Sequence, residues 1–153
     1  MKQTRKLFLT TLLACVVLNA ADNSLGTWKY NPDKSKYDPG PPTIKSLTST
    51  REAFEGGVKV TSTGERTEGT PINSSYTAKY DGKDSPVTGA PWDSIALKQV
   101  NANTYTAISK KDGKLYSNGR TVISDGGKTM TTTTTGTDAE GKEFHNILVY
   151  DKQ

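Results

Sequence analysis

The chain has 153 residues and a formal net charge of +4, from 20 basic and 16 acidic side chains. Three basic and no acidic side chains fall within residues 1–20, so the remaining residues carry 17 basic against 16 acidic ones. Nucleic acid is therefore not a predicted partner, because phosphate binding needs concentrated positive charge. One cysteine and one histidine give no recognisable set of metal ligands, and no metal or cofactor is predicted.

Residues 1–20 have the pattern of a secretory signal peptide. Three basic residues precede the apolar run 7–18, and residues 18–20 offer a cleavage site before Ala21. The run is too short to cross a bilayer as a helix. The pattern predicts a signal peptide over 1–20 and one mature domain over 21–153, without a transmembrane anchor, in the periplasm or secreted.

Cys15 lies inside the predicted signal peptide. The segment 12–15 loosely resembles a lipobox, the bacterial signal for lipid attachment at cysteine. Two features favour removal of Cys15 with the signal: the apolar run continues to Leu18, and Leu13 is bulkier than that position usually allows. A lipid anchor at Cys15 is the alternative interpretation.

The rest of the chain has the pattern of strands separated by glycine turns. Threonine occurs 20 times in residues 21–153, and its branched side chain suits extended backbone. Glycine turns such as 81–83, 112–114, 126–128 and 140–142 leave room for little besides strands. Ten strands are predicted, in chain order: Leu25–Tyr30, Ile44–Phe54, Val58–Thr63, Ile72–Tyr80, Asp84–Thr88, Ser94–Val100, Thr104–Lys110, Leu115–Ile123, Thr129–Thr137 and Glu143–Asp151.

Asn118-Gly119 conflicts with this spacing, because it is a strong hairpin dipeptide placed soon after the turn at 112–113. Both turns cannot join strands of normal length. We favour the earlier turn and interpret Gly119 as a bulge or a close backbone approach within a longer strand.

Hairpins joined in sequence form an antiparallel meander, and closing the meander into a barrel removes its exposed edges. An outer-membrane barrel would need a continuous lipid-facing apolar band. The threonine-rich strand 129–137 has no apolar face, which disfavours that alternative. The predicted fold is all-β: an up-and-down antiparallel meander of about ten strands, closed into a small barrel.

Two segments resemble the calycin superfamily, which includes lipocalins and fatty-acid-binding proteins. Gly26-Thr27-Trp28 resembles the G-x-W signature at the start of the first strand, and the ending 148–152 is similar to the last strand of fatty-acid-binding proteins. The resemblance implies a calycin-like barrel in which Gly26 permits close packing and Trp28 plugs the closed end. It also implies a bacterial, secreted lipocalin-like protein with Tyr150 as a cavity residue.

The sequence departs from that family at two places. Fatty-acid-binding proteins carry a helical lid between the first two strands, but here the interval Asn31–Thr43 contains four prolines and cannot build one. The family also places an arginine two residues before the final tyrosine to hold the ligand carboxylate, where this chain has Leu148. The resemblance therefore leaves fatty-acid binding unsupported.

The aromatic residues suggest the function. Tyrosine can line a cavity that is partly apolar and partly hydrogen-bonding, which suits a small amphipathic or hydrophobic ligand bound without catalysis. Arg120, central in a strand, and Tyr150 are the first predicted ligand contacts, followed by Tyr76 and Tyr116. Two alternatives stay open: the tyrosines pack the barrel and direct their hydroxyls to water, and Arg120 points outwards as surface charge.

A second hypothesis is a protein-interaction or inhibitor module that uses the loops Asp38–Pro42 and Thr88–Trp92. Trp92 would then be an exposed anchor above a filled barrel. An enzyme is not predicted, because no nucleophile-elbow pattern is present.

Overall fold

The computed structural model describes residues 21–153, so the predicted signal peptide and Cys15 lie outside the described residues. The described chain is built almost entirely of β-strands. Its two short 3₁₀ turns, Pro32–Lys34 and Asp125–Gly127, are the only helical segments in this part of the chain. The strands are β1 Gly26–Tyr30, β2 Lys36–Asp38, β3 Ile44–Phe54, β4 Gly57–Arg66, β5 Pro71–Lys79, β6 Asp81–Thr88, β7 Ser94–Asn101, β8 Thr104–Lys111, β9 Lys114–Ser124, β10 Thr129–Thr137 and β11 Glu143–Lys152.

The sheet closes into a barrel. From β3 to β11 each strand pairs antiparallel with the next, β1 pairs with β3, and β1 also pairs with β11, where Trp28 lies opposite Lys152. Ten strands form the wall, and the short β2 lies beside the first half of β11. The predicted antiparallel barrel of about ten strands is confirmed.

The turn at 112–113 joins β8 and β9, as predicted. Asp112 and Gly113 both have positive φ, 49° and 75°, which is the conformation of a two-residue hairpin turn. β9 then passes through Asn118-Gly119 without a break. The bulge lies earlier than predicted: Ser109 is opposite Ser117 but Lys110 is opposite Leu115, so Tyr116 is the extra residue.

The proline-rich interval between β1 and β3 contains no α-helix and forms no helical lid, as predicted. The strand β2 inside this interval was not predicted. Its residue Tyr37 lies opposite Asn146 of β11, and the turn Pro39–Pro42 then leads into β3.

The two ends of the barrel differ. Residues 21–25 cross one end, the floor, where the backbone N–H of Asn23 donates to the carbonyl of Ala102 at 3.0 Å. The other end, the mouth, is surrounded by the connections 39–43, 67–70, 89–93, 112–113 and 138–142. Two buried apolar clusters, one around Trp28 and one around Val58, both contact Tyr80.

The ladder between β5 and β6 is the shortest in the wall. Only Ser75 with Thr88 and Tyr76 with Val87 are paired across it. Residues 77–79 of β5 and 81–86 of β6 have no partner in this pair of strands. Every other pair of neighbouring wall strands shares at least three paired positions.

Candidate functional site

The barrel encloses a cavity of about 720 Å³ that extends to the loops of the mouth. This volume lies within the range of about 300–1,000 Å³ that small-molecule sites occupy, so the barrel interior is not filled by its own side chains. Much of the wall is apolar: Leu47, Ile72, Ile95, Leu97, Met130 and Leu148.

Hydroxyl groups line the wall between the apolar residues. The threonine run sends Thr132 and Thr134 inwards, because successive side chains of a strand point to opposite faces. Thr121 on β9 also lines the cavity, and its Oγ1 lies 2.9 Å from Oγ1 of Thr132. The interior can therefore hold both an apolar body and polar groups.

Three of the four predicted ligand contacts line the cavity: Tyr150, Tyr76 and Tyr116. Burial, followed by the nearby Tyr30 and Tyr76, raises the pKa of Tyr150 above its usual value. Tyr150 is therefore an uncharged phenol at neutral pH, able to donate a hydrogen bond inside the cavity.

Arg120, the fourth predicted contact, does not line the cavity; it is exposed on the outer face of β9. The bulge explains the error. Tyr116 and Ser117 both line the cavity, which shifts the inward alternation of β9 to Gly119 and Thr121. Arg120 consequently points away from the interior.

The interior cation is Arg51, which sequence reasoning missed. It lies on β3 opposite Gly26 of β1 and lines the cavity. The other charged lining residues all lie at the mouth: Arg66, Glu68, Asp138, Lys142 and Glu143. The inward direction of Arg51 follows from the alternation along β3, because Leu47, Ser49 and Arg51 share one face and all line the cavity.

Arg51 makes no ion pair with any carboxylate of residues 21–153, and its buried Nε has no hydrogen-bond partner. Burial lowers the pKa of Arg51, but Tyr76, Tyr80 and, more weakly, Asp22 outweigh burial and hold the pKa above its usual value. The barrel therefore keeps a charged guanidinium in its interior without a direct counter-ion.

The floor is held by a network around Asp22. Its carboxylate accepts hydrogen bonds from the hydroxyls of Tyr80 at 2.5 Å, Tyr105 at 2.6 Å and Ser24 at 2.6 Å. The carbonyl of Ser24 in turn accepts from Nε1 of Trp28 at 2.8 Å. Trp28 is fully buried at this end of the barrel.

The Asp22 network predicts a pH dependence. Burial raises the pKa of Asp22, but hydrogen bonds from Ser24, Tyr105 and Tyr80 outweigh it, so the folded-state pKa lies below its usual value. The stabilisation is then fully present above the unfolded pKa of about 3.9 and is lost as the pH falls through the lower folded pKa. We expect Asp22→Asn to flatten the acid decline of the unfolding free energy below about pH 5. Urea unfolding at successive pH values measures this, and an unchanged slope would contradict it.

Three aromatic side chains form a cluster at the mouth, here called the mouth cluster: Trp92, Tyr116 and Phe144. The ring centroids lie 5.6 Å apart for Trp92 and Tyr116, and 5.8 Å apart for Tyr116 and Phe144. Gly136 lies beneath Phe144, since a Cβ added there would come within 2.8 Å of its Cζ. The interaction-module hypothesis expected an exposed Trp92 above a filled barrel. Trp92 is instead half-buried, and the barrel interior contains a cavity.

No group of three or more His, Cys, Asp or Glu side chains is placed to hold a metal ion within residues 21–153. His145 is exposed on β11, outside the cavity. None of the helical segments in the described part of the chain has the length and apolar character needed to cross a membrane.

Comparisons with known proteins give the fold. No protein-family model matches the sequence, and no curated protein matches it. Among solved structures, the zebrafish ileal bile acid-binding protein in complex with cholic acid is similar, with a TM-score of 0.52 and 13% identity. The match covers 86% of this chain and 100% of that chain. Residues 21–153 therefore have a calycin-like fold, a closed antiparallel barrel around an interior cavity.

Proposed function

We propose that the exported, mature protein binds one small amphipathic molecule in the barrel, with the anionic group of that molecule at Arg51, and catalyses no reaction on it. The observation that carries the proposal is the half-buried guanidinium of Arg51, which lines a cavity of about 720 Å³ and has no ion pair. A partly desolvated charge without a partner is costly, and a bound anion would supply the missing counter-charge.

The surroundings of Arg51 favour an amphipathic anion over a small inorganic one. Tyr76 and Tyr150 lie near the guanidinium, and both are cavity residues that can donate to an anionic oxygen. Leu47, Ile95 and Leu148 supply apolar wall for the rest of the ligand. Cholic acid, which the zebrafish protein of similar fold binds, is itself an amphipathic acid.

Gly119→Leu tests whether the interior is the binding site. A Cβ at Gly119 would have its nearest neighbours at 3.7 Å and 3.9 Å, so the wall accepts a side chain that then occupies the cavity. We expect this variant to bind the fluorescent anion anilinonaphthalene sulfonate about tenfold more weakly, or worse, since tenfold corresponds to about 1.4 kcal/mol. Fluorescence titration of the folded protein measures the affinity.

Asn118→Leu is the matched control, because it adds the same side chain at the neighbouring, exposed position. Equal affinities of the two variants would show that the probe binds outside the barrel and would refute the proposal. Native mass spectrometry of protein purified from its own host would then be expected to show no bound small molecule.

A further inference from the structure

The centre of β9 forms a recess in the cavity wall, here called the Gly119 recess. Gly119 lies midway along β9 and lines the cavity without a side chain. A Cβ added there would lie 3.7 Å from Cβ of Ala107 and 3.9 Å from Oγ1 of Thr134, so a side chain could be added without a clash. A glycine inside a strand often marks a place where a ligand approaches the backbone closely.

Hydroxyl groups surround the Gly119 recess. Ser117 and Thr121 share the inward face of β9 with Gly119. On the paired strand β10, Thr134 lies opposite Gly119 and Thr132 lies opposite Thr121, and both threonines line the cavity. The alternation of the threonine run therefore gives this part of the wall a hydroxyl-rich surface.

These hydroxyls keep unused hydrogen-bonding capacity. The Oγ1 atoms of Thr121 and Thr132 lie 2.9 Å apart, and one O–H makes that bond, so the pair retains a second donor and further acceptor lone pairs. Thr134 takes part in none of the side-chain hydrogen bonds within residues 21–153, and its Oγ1 is not among the fully buried polar atoms of that range. Because Thr134 lines the cavity beside Gly119, its hydroxyl faces the open interior.

A second row of hydroxyls lies on the other side of the barrel. Ser49, Ser62 and Ser74 occupy paired positions on the neighbouring strands β3, β4 and β5, and all three line the cavity. Ser62 lies near the middle of β4, which is five strands away from β9 in either direction around the wall. The middle of the cavity therefore offers hydroxyl partners on two opposite sides.

We infer that the ligand carries hydroxyl groups along the middle of its apolar body, and that these groups bind in the Gly119 recess and against the serines opposite it. This inference rests on the proposed function and names the ligand class: a hydroxylated amphipathic acid in place of a plain fatty acid. A plain hydrocarbon chain would displace water from the wall hydroxyls and leave Thr134 without a partner, which is costly. A hydroxylated chain replaces the lost water with its own donors and acceptors.

The test compares octadecanoate with the vicinal diol obtained by dihydroxylating the double bond of oleate. The two acids have the same chain length and carboxylate and differ only in two hydroxyls at mid-chain. We expect the diol to displace anilinonaphthalene sulfonate from the wild-type protein at a concentration equal to or lower than octadecanoate does. Hydroxyls buried without partners would instead weaken binding by about tenfold or more. Tighter binding of octadecanoate would overturn the inference, because water would then be the natural partner of the wall hydroxyls.

Thr134→Val tests the position of the hydroxyl partner, because valine keeps the shape of threonine and removes its hydroxyl. The quantity compared is the ratio of the affinities for the diol and for octadecanoate within one variant. We expect this ratio to fall by roughly 2- to 12-fold in Thr134→Val, which corresponds to the loss of one net hydrogen bond. Thr133→Val is the matched control, since it makes the same change on the outer face of β10 and should keep the wild-type ratio. An unchanged ratio in Thr134→Val, or an equal fall in both variants, would overturn the assignment of the Gly119 recess.

Failure of this inference is distinguishable from failure of the proposed function. If neither acid displaces the dye, the proposed function itself fails. If octadecanoate displaces the dye and the diol does so more weakly, the cavity binds an amphipathic acid and only the hydroxylated class is wrong.

Discussion

Arg51→Met is expected to weaken the binding of dodecanoate by about 10- to 100-fold. A hydrogen bond to a charged group contributes about 1.5–3 kcal/mol, and methionine keeps most of the side-chain volume while removing the charge. Arg120→Met is the matched control, because it makes the same chemical change on the outer face of β9. Competition against anilinonaphthalene sulfonate measures both variants. An equal loss in both, or no loss in Arg51→Met, would contradict the assignment of Arg51.

The same variant should behave differently in unfolding. Arg51 is a half-buried charge without an ion pair, so replacing it with an apolar side chain of similar volume removes a partly desolvated charge and breaks no pair. We therefore expect the free energy of unfolding of ligand-free Arg51→Met to equal or exceed that of the wild type. A loss of affinity without a loss of stability separates a binding residue from a structural one.

Trp28→Ala is expected to lower the free energy of unfolding by about 3–5 kcal/mol, the usual range for deleting a large buried aromatic side chain. Trp28 is 0% exposed, donates to the carbonyl of Ser24, and lies beneath the ammonium group of Lys152, whose Nζ is 5.1 Å from the ring centroid. A typical domain has a free energy of unfolding of about 5–15 kcal/mol, so this loss would remove much of it. Urea unfolding followed by circular dichroism measures it without relying on tryptophan fluorescence.

Phe54→Ala is the control for Trp28→Ala, since Phe54 is 47% exposed at the end of β3. Its cost should be far smaller. Trp28→Phe separates the packing of the ring from the hydrogen bond to Ser24, because it keeps an aromatic ring and removes the indole N–H. We expect it to lower the free energy of unfolding by only part of the amount expected for Trp28→Ala. If Trp28→Ala were no more harmful than Phe54→Ala, the floor would not depend on the indole.

The fold could be predicted because its signals are local. Glycine turns and alternating strands specify a meander without any knowledge of distant contacts, and the bounds of β3 and β10 agree with the prediction at both ends. The strand β2 was missed because a short strand among prolines has no pattern of its own. It exists because β11 offers a free edge there.

The site could be predicted only in part, since it depends on which face of each strand looks inwards. Tyr76 follows from the alternation of β5, which is regular. On β9, Tyr116 and Arg120 share the same parity in the sequence, and a strand without a bulge would have placed both inside. One extra residue at Tyr116 separates them. Arg51 shares a face of β3 with Leu47 and Ser49, so the alternation of that strand carried a signal for it that the sequence interpretation did not use.

The short ladder between β5 and β6 gives the barrel a built-in slit. Proteins open locally where few backbone hydrogen bonds must break, and here two adjacent strands share only two paired positions. Amide protons facing this slit should exchange with solvent by small fluctuations, while those in the nine-position ladder between β4 and β5 require disruption of the sheet itself. A closed barrel is usually thought of as edgeless, yet this one keeps two partial edges side by side, and its low-energy motions should concentrate there.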